Sequence, residues 1–153
     1  MVRIAIIVGS KSDLTIVEGA RPYWEYFGLE CDLKVLSAHR QPTELSAYIQ
    51  EAEAQGIEIF IACAGMAAHL PGVIAAQTHR PVIGVPLEAS SLQGMDALLS
   101  IVQMPGGIPV GTMAIGKAGV INAVVYAARI LGLRDQQIAR RLQEFAQIGY
   151  KLA

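Results

Sequence analysis

Short apolar runs alternate with segments of helical periodicity along almost the whole chain, and few architectures accommodate that order. Arg3-Ile-Ala-Ile-Ile-Val8 is continuously apolar after its first residue, the pattern of a parallel strand covered on both faces. Comparable runs recur at residues 31–36, 58–63, 81–85 and 110–115. Between them, a helical pattern runs to about Phe27 with Gly28 as its cap, and Pro22 is expected to kink or shorten it. Leu45, Tyr48, Ile49 and Ala52 share one helical face over residues 42–55, with Gly56 behind them. Further helices are predicted from near Pro71, over 95–103, over 118–131 and, amphipathic, over about 135–148. Met104-Pro-Gly-Gly-Ile-Pro109 interrupts any regular structure. Such alternation implies an open parallel sheet with right-handed crossovers. The expected fold is α/β, a three-layer αβα sandwich around a central parallel sheet, flavodoxin-like, with residues 1–153 forming a single domain.

Composition narrows the setting. The 153 residues carry a net charge of −1, so neither a nucleic acid nor an anionic membrane surface finds a basic footprint. The chain enters strand pattern directly, without the charged and apolar regions of a signal peptide, and no uninterrupted apolar run is long enough to span a membrane. Cys31 and Cys63 lie inside strand-like runs, read as buried free thiols in a reducing cytoplasm with no metal partners at ligand spacing. Apolar residues make up 53% and charged residues 16%, against averages of about 45–50% and 25%. One small core cannot hide that surplus, and a homo-oligomer is expected.

In a doubly wound sheet, ligands bind beyond the carboxyl ends of the strands, where strand order reverses. The chemistry-bearing residues collect at those ends: Ser10, Ser12 and Asp13 after the first strand, Ser37, His39 and Arg40 after the second, Gly65 and His69 after the third. Gly9-Ser-Lys-Ser-Asp13 sets a glycine and two hydroxyls at a helix N-terminus, which favours a phosphate. Ser12 or Asp13 as a plain helix cap is the structural alternative. An aspartate suits sugar hydroxyls better than a phosphate, so the loop reads as a sugar-phosphate site. Arg40 can add a forked cation to that phosphate, and otherwise is a surface arginine. His39, with a side chain that titrates near neutrality, is the acid/base candidate. His69 lies among small residues and is either a packed side chain or a part of the site. His79 falls at the opposite end of the sheet and is set aside. Gly111-Thr-Met-Ala-Ile-Gly116-Lys117-Ala118 approaches a nucleoside-triphosphate loop, but Ala118 stands where a magnesium-binding hydroxyl is required.

The segments GSKSD, SAHRQP, AGMAAHLPG, HRPVIGVP and SIVQMPGGIPVGTMAIG, in this order, closely resemble the class I N5-carboxyaminoimidazole ribonucleotide mutases of purine biosynthesis. The resemblance implies a cofactor-free rearrangement in which a carboxylate moves from an exocyclic nitrogen to a ring carbon, through decarboxylation and recapture of carbon dioxide. It implies His39 as the general acid/base, Ser10 and Arg40 on the phosphate with Ser12 assisting, and Asp13 on the ribose. Gly65 to His69 would line the base pocket, and Ser37 belongs to the substrate-binding set. It also implies a homo-octamer with shared sites, to which residues 104–109 of a neighbour would contribute, and the C-terminal helix is expected at a subunit interface. In two places the chain departs from the family pattern. Class I sequences commonly have two glycines where this chain has Gly65-Met66; Met66 either reshapes the pocket or packs behind the loop, and packing is expected. Pro86-Leu-Glu-Ala89 replaces a common Pro-Val-Gln-Ser, which puts that loop's contacts in question. The alternatives are a class II carboxylase that uses free carbon dioxide and a non-catalytic flavodoxin-like nucleotide-binding module. Arg40 and Ala67-Ala68-His69 favour class I.

Overall fold

The computed structural model describes residues 2–152. Strand β1 (Val2–Val8) lies between β2 (Glu30–Val35) and β3 (Ile59–Gly65), followed outward by β4 (Val82–Leu87) and β5 (Gly111–Thr112). All pairings are parallel and the order is β2-β1-β3-β4-β5. The chain winds one way from β1 to β2 and the other way from β3 onward, so the order reverses between β1 and β3.

Alternation along each central strand fills both faces. Ile4, Ile6 and Val8 join Ile59, Ile61, Val85 and Leu87 on one face, where α1 (Leu14–Glu18), α2 (Arg21–Tyr26), α6 (Lys117–Gly132) and α7 (Gln136–Gln147) cover them. Ala5, Ile7, Phe60 and Ala62 face α3 (Pro42–Ala54), α4 (Leu70–Ala75) and α5 (Met95–Val102). At the amino end of the sheet, opposite the loops of interest, Arg3 bonds Glu58 at 2.8 Å and Asp135 at 2.7 Å, and Arg134 also pairs with Glu58. Asp135 caps α7 through the N–H groups of Gln137 and Ile138. No helix among the described residues is long and apolar enough to cross a membrane.

Three boundaries differ from expectation. The first helix is two helices, because Gly19 ends α1 and Pro22 sits in the first turn of α2, where its missing N–H costs no bond. Strand β4 continues through Pro86 to Leu87. In a parallel strand one residue's N–H and C=O point to the same side, and the Pro86 carbonyl accepts from Gly116 on the β5 side. That side is open at this level, since β5 pairs only with Ile83 and Gly84. The fifth strand has two paired residues instead of the expected span over 110–115. Beyond Thr112 the chain leaves the ladder, and Ile115 packs into the space that a side chain on Gly94 would need.

Candidate active site

The register brings three loops to one rim. Val8 pairs with Val35 on one side and with Cys63 on the other, so the chain leaves β1, β2 and β3 at nearly the same height. Leu36 N–H still donates to Val8 O at 2.8 Å. The loops after β2 and β3 therefore stand on either side of the β1 end, about 10 Å apart at two strand spacings.

The loop after β1 turns into a 3-10 segment over Lys11–Asp13. Ser10 is its cap: its Oγ accepts from Ser12 N–H at 3.3 Å and lies 2.9 Å from Ser12 Oγ. Both hydroxyls are exposed. Asp13 makes no side-chain cap bond at the start of α1, and the capping hydroxyl belongs to Ser10, not to Ser12 or Asp13 as the capping alternative had it. Its partly buried carboxyl has no hydrogen-bond partner among the described residues, and desolvation raises its pKa above the ordinary carboxylate value. A carboxylate held this way is available to hydroxyl donors from outside the chain.

The loop after β2 is built by Ser37 and Gln41. Ser37 Oγ accepts from Arg40 N–H at 3.1 Å, Gln41 Oε1 accepts from Ser37 N–H at 3.2 Å, and Gln41 N–H donates to Ser37 O at 2.9 Å. Pro42 then opens α3. This closed turn projects His39 and Arg40, both exposed. The Arg40 guanidinium has no ion pair or hydrogen bond with a described residue and is free to take an anion.

From β3, Gly65 begins a loop that ends at His69, the N-cap of α4. His69 is exposed rather than packed, and its Nδ1 lies 2.5 Å from His39 Nε2, with the rings edge to face at 4.7 Å. The two imidazoles meet across the end of β1, beside the Ser10–Asp13 loop. One rim of the sheet thus carries a hydroxyl-rich helix start, a pair of imidazoles, and a guanidinium and a carboxylate that have no hydrogen-bond partner among the described residues. It can bind a phosphate and a polyol, and it can move protons on the group bound between them.

Residues 3–149 match the family model described as AIR carboxylase. The chain belongs to the AIR carboxylase family. It is 50% identical over 147 residues, 96% of this chain and 85% of the relative, to the N5-carboxyaminoimidazole ribonucleotide mutase of Thermotoga maritima. Identity to the Escherichia coli K12 protein of the same name is 49% over 143 residues, 94% of this chain and 85% of that one. The solved structure of Treponema denticola PurE superposes with a TM-score of 0.88 at 26% identity, covering 98% of this chain and 92% of that one.

Within this AIR carboxylase fold, Met66 does not pack behind its loop. It is 58% exposed and holds a φ of 55°, the left-handed region that favours glycine. A Cβ on Gly65 would stand 2.4 Å from Ala89 Cβ, so only glycine fits at the start of this loop. Residue types alone did not mark Gln41, whose amide closes the His39 turn, or Ala89, which packs against Gly65. The glutamine just before a helix-opening proline was the one available signal. Met104 lies 3.2 Å from the position a Cβ on Gly72 would take, so this end of the 104–109 segment packs on α4 of its own chain.

Proposed function

We propose that this protein is an N5-carboxyaminoimidazole ribonucleotide mutase, a single mutase domain that converts its substrate to 4-carboxy-5-aminoimidazole ribonucleotide in purine biosynthesis. The observation that carries this reading is about half identity, across 94–96% of the chain, to relatives that bear that name. The residue types on the rim support it chemically. Ser10, Ser12 and Arg40 hold the phosphate, assisted by the dipole of the 3-10 and α1 turns. Asp13 accepts from the ribose hydroxyls, Ser37 supports the histidine turn, and Gly65 to His69 line the base. Binding energy from this remote end holds the ring in register for chemistry at the other.

The reaction is balanced by one proton. The carboxylate leaves the exocyclic nitrogen as carbon dioxide and that nitrogen takes a proton. The ring carbon then attacks the carbon dioxide and gives up its own proton. His39 supplies the first and removes the second, so the scheme calls for no cofactor. Keeping carbon dioxide away from bulk water requires a closed pocket.

The working form is a cytoplasmic homo-oligomer, an octamer, with the C-terminal helix at a subunit contact. The exposed apolar stripe Met95, Leu99 and Val102 along α5, with exposed Leu92 in the turn before it, supports assembly. Light scattering on the purified protein tests it, with eight copies expected and a monomer contradicting it. Activity is tested by offering each ribonucleotide. Rapid rearrangement of the N-carboxylated substrate is expected, with slow carboxylation of aminoimidazole ribonucleotide even under added carbon dioxide. The reverse preference would assign the class II carboxylase.

A further inference from the structure

We propose that Gln41 is a positioning residue for the rearrangement, a brace that holds the His39 imidazole where it can transfer a proton. The inference rests on the mutase reading, in which His39 is the acid/base group, and adds a residue outside the phosphate, ribose and base sets. His39 sits midway in the turn over residues 37–41, between β2 and α3. Gln41 closes that turn twice: its side-chain Oε1 accepts from Ser37 N–H at 3.2 Å, and its own N–H donates to Ser37 O at 2.9 Å. Its carbonyl accepts at 3.0 Å from the N–H of Leu45, whose side chain is fully buried beneath α3. Just before Ser37, Leu36 N–H donates to Val8 O. The turn is therefore tied to the sheet at one end and to α3 at the other, and Gln41 joins the two.

The placement of the amide is unusual for its position. Gln41 is the N-cap residue of α3, where Ser, Thr, Asp or Asn is favoured because a short side chain can bond the first N–H groups of the helix. Gln41 makes no such bond, and its oxygen reaches back to Ser37 instead. Removing that oxygen leaves the helix cap as it was and loosens only the turn. Arg40 shares the turn but depends on it less. Its N–H has a bond of its own to Ser37 Oγ at 3.1 Å, and its guanidinium ends a long flexible chain that can follow an anion. The short histidine side chain passes any backbone shift directly to its ring. Loosening the turn thus acts on proton transfer more than on binding, and a misplacement of about 1 Å can slow chemistry about 10²-fold.

Gln41→Met keeps the side-chain length and removes the acceptor, whereas Gln41→Glu keeps an accepting oxygen. Both are made in the full-length protein and assayed for kcat, KM and thermal midpoint, and Gln41→Met is also combined with His39→Asn. Gln41→Met lowers kcat about 10- to 100-fold and leaves KM close to wild type. Its midpoint falls by at most about 6 °C, the effect of one neutral hydrogen bond in a chain of this size. Gln41→Glu restores kcat, with its added charge read only in KM. With His39 already replaced, Gln41→Met changes the residual kcat little, because the ring it places is gone. Nuclear magnetic resonance of histidine-labelled protein gives a readout without turnover: the His39 ring signals shift in Gln41→Met and return in Gln41→Glu, while those of His79 stay in place. Wild-type kcat or unmoved His39 signals in Gln41→Met would overturn the proposal. So would an equal fall in kcat on the His39→Asn background, or a fall that Gln41→Glu does not restore. Failure of the wild-type protein to rearrange the substrate, with the His39 signals still answering to Gln41, would instead refute the mutase reading.

Discussion

Nε2 of His39 stands 2.5 Å from Nδ1 of His69, with the ring planes at 84° to each other. Two lone pairs or two N–H groups would repel at that distance, so one hydrogen occupies the gap. Nδ1 of His39 has no hydrogen bond with a described residue, which leaves the pair one open nitrogen on the acid/base candidate. Replacing His39 with Asn keeps a polar group of similar reach and removes proton transfer. The expected result is a fall in kcat of about 10²–10⁴, the usual range for general acid/base catalysis, with KM and thermal midpoint close to wild type. Steady-state kinetics beside a melting curve check it, and a near-normal kcat would contradict the assigned role.

Arg40 presents a separate test, because its backbone and side chain do different things. The backbone N–H donates to Ser37 Oγ and shapes the turn, while the exposed guanidinium has no ion pair or hydrogen bond with a described residue. Arg40→Ala keeps the turn and removes the cation. A charge-assisted hydrogen bond contributes about 1.5–3 kcal/mol, so KM should rise about 10- to 150-fold while stability stays level. An unchanged KM would place the phosphate elsewhere.

How far the sequence foretold this arrangement depended on whether a contact was local. Four of the five runs became long strands because short segments rich in apolar and β-branched residues fit a covered sheet, and their alternation with helices implied a rim. Ser10, Ser12, Asp13, Ser37, His39, Arg40, Gly65 and His69 all lie on that rim, since each sits at a strand's carboxyl end or in the loop that follows it. The misplacements came from contacts distant in sequence. Pro86 continues its strand because β5 has already ended beside it, and the fifth strand stops early because Ile115 has a better position against Gly94. Met66 was expected to pack behind its loop, yet it is 58% exposed with a φ of 55°, and residue type alone could not show which way that loop turns. The 2.5 Å approach of His39 and His69, thirty positions apart, is likewise a tertiary fact that residue types could suggest and spacing could not establish.

Gly119 offers a stability test of how α6 is seated beneath the rim. It lies in the first turn of α6, and an added Cβ would fall 1.7 Å from Ala114 O and 2.9 Å from Val85 Cγ1. The first obstacle is backbone, which cannot turn aside as a side-chain end could. Gly119→Ala should therefore destabilise the fold by at least about 1–3 kcal/mol, the usual cost of overpacking. At about 2–4 °C per kcal/mol for a chain of this size, the midpoint falls measurably. Gly106→Ala is the matched control, because nothing lies within 4 Å of its Cβ position. Equal melting temperatures for the two variants would mean that α6 is not held so closely to the segment before it.

Asp13 joins stability to binding through its ionisation. Desolvation raises its folded-state pKa above the usual value near 3.8. The folded state therefore holds this proton more tightly than the unfolded chain does. Stability falls as pH rises from about 3.8 through the raised value, then levels off once Asp13 is ionised in both states. At neutral pH the carboxylate works against the fold, and no hydrogen-bond partner among the described residues offsets it. Asp13→Asn removes that charge. Its thermal midpoint should exceed the wild-type midpoint at pH 7, and the difference should close as pH drops below the unfolded value. The same change takes an acceptor away from the ribose hydroxyls, so KM should rise while stability improves. Melting curves from pH 3 to 8, run beside KM for both proteins, check the two effects together. A variant less stable than wild type at pH 7 would mean that the carboxylate serves the fold rather than the ligand.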